Sequence, residues 1–142
     1  MNNRIDEKST TIIFIIISII VAILLSQKST YFLANFAYYW LPQAVVFILL
    51  FIFRVRLAVI TGTAIALTLS LIGYSLFKDA MAWIGYVFII PAGFLTSLVY
   101  GLTIKSKLST PFSKVIIYSI VYNILGIGFV QFILCSTVMY CG

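Results

Sequence analysis

Long uninterrupted apolar runs, separated by a few charged positions, set the pattern of this chain. Stretches without Asp, Glu, Lys or Arg extend over Ser9–Gln27, Ser29–Phe53, Leu57–Phe77, Ala80–Ile104 and Val115–Gly142. About 20 apolar residues carry a helix across a hydrocarbon core of about 30 Å. Each stretch is long enough, and together they leave room only for short tails and turns. The runs are apolar on every side, as in Ile12–Ile17 and Ala44–Phe53. The alternation of a barrel strand is absent, so helices are expected. The pattern predicts an all-α, polytopic membrane helix bundle: one integral domain over residues 1–142, with spans at about 10–27, 31–53, 57–77, 81–104 and 115–138.

The positions of the basic residues then orient the bundle. Arg4 and Lys8 precede the first span, Arg54 and Arg56 join the second to the third, and Lys105, Lys107 and Lys114 join the fourth to the fifth. The other side has only Lys28 and Lys78. Cytoplasmic loops carry the excess of Lys and Arg, so the N-terminus is expected in the cytoplasm and the C-terminus outside. A basic start followed by Ile12–Leu25 is also the pattern of a signal peptide. No small-x-small site follows at Ser26–Lys28, so an uncleaved first helix is expected.

Composition agrees with this picture: of 142 residues, 63% are hydrophobic and 8% charged, which excludes an ordinary soluble domain. The net charge of +6, gathered on the cytoplasmic face, suits anionic lipid and implies no nucleic acid. Asp6 and Glu7 lie in the N-terminal tail and Asp79 in an outer turn, and the chain has no His. Proton relays, paired-carboxylate proteolysis and His-based metal sites therefore lack their groups, and neither an enzyme, a cofactor nor a metal is expected.

Inside the spans three features remain. Small residues four apart mark close helix contacts: Gly62, Ala66 and Ser70 in the third span, Gly93, Ser97 and Gly101 in the fourth. The fifth has Ser119, Asn123 and Gly126, whereas the Ile-rich first span is read as peripheral. Three amides lie at depth. Gln43, about 16 Å from Arg54 by helix rise, and Asn123, about 14 Å from Lys114, are expected to pair. Gln131 is expected to face the kink that Pro42 makes in the second span. A second proline, Pro91, predicts another kink in the fourth. Finally, Tyr38, Tyr39, Trp40, Trp83 and Tyr86 gather at the outer level, as an interfacial belt or as a surface for a partner. Cys135 and Cys141 are too far apart on one continuous helix for a disulfide, so free thiols are expected, with Cys141 able to link two copies.

Pro42–Gln43 resembles the dipeptide of PQ-loop transporters, which would imply three-helix units and polar residues soon afterwards. Here the wholly apolar Ala44–Phe53 follows, and five spans do not divide into threes. The expected function is that of a bacterial inner-membrane protein binding another membrane-inserted protein, as immunity proteins bind pore-forming or membrane-targeting toxins. The excess of Ile over Leu, 24 to 17, fits an AT-rich gene. The alternatives are a passive transporter or channel subunit acting as a homo-oligomer, lined by Gln43, Asn123 and Gln131, and an assembly factor for a larger complex.

Overall fold

A computed structural model describes residues 2–27, 30–76, 80–105 and 109–137, with the side chains of 2–5 and 80–84 excepted. The described residues form five helices and no strand: α1 (Asn2–Ser26), α2 (Phe32–Ile52), α3 (Leu57–Ser75), α4 (Ala80–Ile104) and α5 (Phe112–Thr137). All five are long and apolar enough to cross a membrane.

Two helices begin earlier than the charges suggest. Helix α1 runs through Arg4–Lys8 from Asn2, and α5 starts at Phe112, before Lys114. Charge marks where an apolar stretch ends, but the backbone continues until something stops it. For α5 the start is set by Pro111, which lacks an N–H and suits a helix entrance.

The turn between α2 and α3 is short and well defined. Arg54 adopts a left-handed conformation with φ 53°. Its N–H donates to the Phe51 carbonyl (3.0 Å) and the Val55 N–H to that of Leu50 (3.1 Å). This pair of bonds is a Schellman motif, and the buried Val55 and Leu50 supply its accompanying apolar contact. Val55 also seats on Gly101 of α4, where a Cβ would collide with its side chain.

Helix α3 is the centre of the bundle, with eleven of its nineteen residues buried. It packs against all four others: α1 and α2 pair with each other, α4 pairs with α5, and α2 also meets α4. Helix α1 is therefore not peripheral in the sense expected. It presents Thr11, Ser18, Ala22 and Ser26, all buried, while Ile12, Ile13, Ile16, Ile17, Ile20 and Leu24 point outward. Ser18, Ala22 and Ser26 are four apart, a close-contact face hidden within the Ile-rich run. Elsewhere in the bundle buried hydroxyls and small side chains sit among a core of Leu50, Ile60, Leu67, Leu71 and Ile89, and most large apolar side chains of α5, such as Leu125, Phe129 and Phe132, are exposed. In lipid, where burial of aliphatic surface gives no advantage, close packing by small residues is what holds helices together.

Candidate functional site

The polar groups at depth fall into separate clusters, each tied to a different pair of helices. The largest joins α3, α4 and α5 around Asn123. Its Nδ2 donates to Ser97 Oγ (2.9 Å) and to the Ser119 carbonyl (2.8 Å), and Oδ1 lies 3.1 Å from Ser97 Oγ and 3.4 Å from Thr96 Oγ1. Ser97 Oγ also meets Thr63 Oγ1 at 2.7 Å, and Ser119 Oγ donates to the Val59 carbonyl at 3.0 Å. Asn123, Ser97, Ser119 and Thr63 are all fully buried.

The second cluster joins α2 and α4. Tyr86 Oη donates to the Tyr39 carbonyl (3.0 Å) and accepts from Gln43 Nε2 (2.7 Å), which also reaches that carbonyl at 3.2 Å. Gln43 Oε1 is buried and makes no hydrogen bond. Turning the amide over would set its oxygen against the Tyr39 carbonyl, so the nitrogen belongs where it is and the oxygen stays unpartnered. The third cluster lies between α3 and α5, where Tyr74 Oη donates to Gln131 Oε1 and Gln131 Nε2 lies 3.4 Å from Cys135 Sγ. On the other side of α3, Thr11 and Thr61 hydroxyls meet at 2.9 Å, linking α1 to α3.

Two expectations are overturned here. Gln43 and Asn123 do not pair: α2 packs on α1, α3 and α4, and α5 on α3 and α4, so amides at one depth sit on different helix pairs. Gln131 faces Tyr74 of α3 and not the Pro42 region, for the same reason. Tyr74 and Thr63, which sequence reasoning did not single out as partners, complete these clusters. The heptad-like repeat of hydroxyl residues on α3 (Thr61, Thr68 and Ser75; Thr63 and Ser70) was the available signal.

The outer aromatic residues also divide. Tyr39 and Tyr86 are buried inside the bundle and offer no surface to a partner. Trp40 is half-buried, donates from Nε1 to Ser18 Oγ (3.3 Å) and ends a ladder of rings from Phe32 through Phe36. Tyr38 is exposed, as are Tyr31, Phe32 and Leu33 at the entrance to α2. Trp83 lies in α4, and its side chain falls outside the described residues.

The small residues differ in what they touch. A Cβ on Gly62 would lie 2.6 Å from Ser119 Cβ and 2.9 Å from the Ile116 carbonyl, and one on Gly93 3.0 Å from Leu67 and 3.3 Å from Asn123 Oδ1. Gly101 receives Val55 and Gly126 the Thr96 methyl. Ala66 and Ser97 are buried, and Ser70 is half-buried with its hydroxyl bonded to the Ala66 carbonyl (2.9 Å). Cys135 is held in a disulfide, contrary to the expectation of a free thiol. Cys141 itself lies outside the described residues.

Among the described residues no group of three or more metal-ligating side chains occurs. Comparison with protein-family models, with characterised proteins and with solved structures finds no match for this chain.

Proposed function

We propose that this is a small multi-pass protein of a bacterial inner membrane, with its N-terminus in the cytoplasm and its C-terminus outside. It acts without catalytic chemistry as a bilayer-embedded binding protein, such as an immunity protein that blocks a pore-forming or membrane-targeting toxin. One observation carries this reading. Apart from Gln43 Oε1 and Tyr100 Oη, the buried amides and hydroxyls are spent on bonds within and between the protein's own helices, while the outward surface is apolar and carries the exposed Tyr31, Phe32, Leu33 and Tyr38. Such a surface suits contact with lipid and with another inserted helix. The orientation draws on the distribution of Lys and Arg, and a disulfide at Cys135 near the C-terminal end fits an oxidising outer side.

The test is protection. Cells producing the toxin encoded by a neighbouring reading frame should survive when this chain is co-expressed, and replacing Tyr31, Phe32 and Tyr38 together by Ala should remove survival without lowering the amount of protein in the membrane. Death in the presence of abundant native chain overturns the reading.

A channel-subunit reading draws on the unpartnered Gln43 Oε1, an acceptor that a permeating solute could use. It is less well supported, because Gln43, Asn123 and Gln131 belong to three separate clusters and a conduction path needs them on one. Solute or ion flux in liposomes that disappears in Gln43→Leu would favour it.

A further inference from the structure

At the end of the bundle where α1, α3 and α5 begin, the structure has a cleft of about 980 Å³. Three described segments line it: the start of α1, the turn after α2 and residues 109–113 at the start of α5. Among the described residues its charged lining is balanced, with Asp6 and Glu7 against Lys8 and Arg56. Arg56 holds the segments together by donating to the Thr110 carbonyl (3.3 and 3.4 Å) and by facing Glu7. The Arg56–Glu7 separation is 3.8 Å, a charge contact too long for a hydrogen bond. Such a pair can open to admit groups of opposite charge on either side. The first turns of α3 and α5 face the same space, and α3 has no side-chain cap. Apolar walls from Leu57 and Phe112 adjoin the charges.

We propose that this cleft binds the headgroup of a zwitterionic phospholipid with a primary ammonium, a phosphoethanolamine lipid. The phosphate is the natural partner for Lys8, the N–H groups of the helix starts and the positive charge of Arg56, whose Nη1 and Nη2 already donate to the Thr110 carbonyl. The ammonium, with three N–H donors, suits Asp6 and Glu7, whose carboxylates are acceptors only. A purely anionic headgroup would use the basic half and be repelled by the acidic half. A quaternary ammonium could not donate hydrogen bonds to it. The placement fits as well, since the cleft lies where the apolar runs give way to charged residues, the level of headgroups in a bilayer. The proposal rests on the bundle sitting in a bilayer and is independent of any toxin.

The experiment is native mass spectrometry of the full chain from detergent containing equal amounts of phosphatidylethanolamine, phosphatidylcholine and phosphatidylglycerol. Phosphatidylethanolamine should be retained about tenfold over either other lipid, the effect of one charge-assisted hydrogen bond. Asp6→Asn and Lys8→Gln, both at exposed positions, should each reduce that preference while leaving the helical circular dichroism unchanged. Equal retention of the three lipids, stronger retention of phosphatidylglycerol, or an unchanged preference in the double variant overturns the proposal. Soluble phosphoethanolamine, offered without its lipid, should not be retained; its retention would assign the cleft to a solute and overturn the lipid as ligand. A chain that fails to enter detergent micelles or bilayers at all would instead count against the membrane reading itself.

Discussion

Gly62 of α3 lies against Ser119 of α5 with no space for a side chain: a Cβ there would be 2.6 Å from the serine Cβ and 2.9 Å from the backbone oxygen of Ile116. Backbone cannot step aside as a rotamer can. Gly62→Ala is therefore expected to separate α3 from α5 and destabilise the protein by about 1–3 kcal/mol. Gly73→Ala, on the same helix but with nothing within 4 Å, should be neutral or stabilising by up to about 1 kcal/mol. Unfolding by titration with SDS measures both, and equal effects would show that close approach at Gly62 contributes nothing.

Asn123 is the hub of the cluster joining α3, α4 and α5. Asn123→Leu removes its bonds to Ser97 and to the Ser119 carbonyl. Interhelical bonds in membrane proteins contribute about 0.6 kcal/mol each and at most about 2 kcal/mol. A loss of about 1–2 kcal/mol is expected, with Ser97→Ala costing less in the Asn123→Leu background than alone. Additive losses would mean that the two side chains do not act together.

Gln43 behaves differently because half of its amide is unpartnered. Gln43→Met removes the bond to Tyr86 but also the buried Oε1, so the two effects offset and stability should change by less than about 1 kcal/mol. Tyr86→Phe strips Gln43 of its 2.7 Å partner and should cost about 1–2 kcal/mol in the native background, and less with Met at position 43. The same cost in both backgrounds would exclude a stabilising Gln43–Tyr86 bond.

How much of this was legible in the sequence depends on direction. Along the bundle axis, charges and apolar lengths located five helices to within a few residues, missing only where α1 and α5 continue past their charges. Around the axis they said much less. Counting rise from Arg54 and Lys114 set Gln43 and Asn123 at similar depth, but the partner of each is decided by the order in which helices pack. With all faces nearly equally apolar, periodicity carries little of that order. The face of α1 was missed because Ser18, Ala22 and Ser26 are scattered among isoleucines whose hydrophobicity dominates the pattern. Tyr39 and Tyr86 were read as surface because aromatic residues near a span end usually belong there; in the bundle Tyr86 turns inward, bonded to Gln43 and to the Tyr39 carbonyl and with its ring against Tyr74.

Arg54 occupies a left-handed position that glycine adopts without strain. Arg54→Gly should stabilise the α2–α3 turn by about 0.5–1 kcal/mol, once glycine's greater freedom in the unfolded chain is offset against the relief. A lower unfolding midpoint for the variant would show that the guanidinium contributes more than the backbone loses.

The proposed orientation has a direct test. With both native cysteines changed to Ser, Tyr31→Cys should react with a membrane-impermeant thiol reagent in intact cells, and Ser9→Cys only after permeabilisation. The opposite result reverses the bundle.

Central placement gives α3 a problem of timing, because a ribosome makes it before two of the helices that cover it. While α4 and α5 are still unsynthesised, one side of α3 has no protein neighbour. Its hydroxyls are prepared for that interval. Thr61 donates to Leu57, Thr63 to Val59, Thr68 to Ala64 and Ser70 to Ala66, each to the carbonyl one turn back in its own helix. An amide has too many donors and acceptors to be satisfied in this way. The amide of this contact is carried by α5, which is made after α3 and α4 and finds Ser97 and Thr63 already bonded to each other.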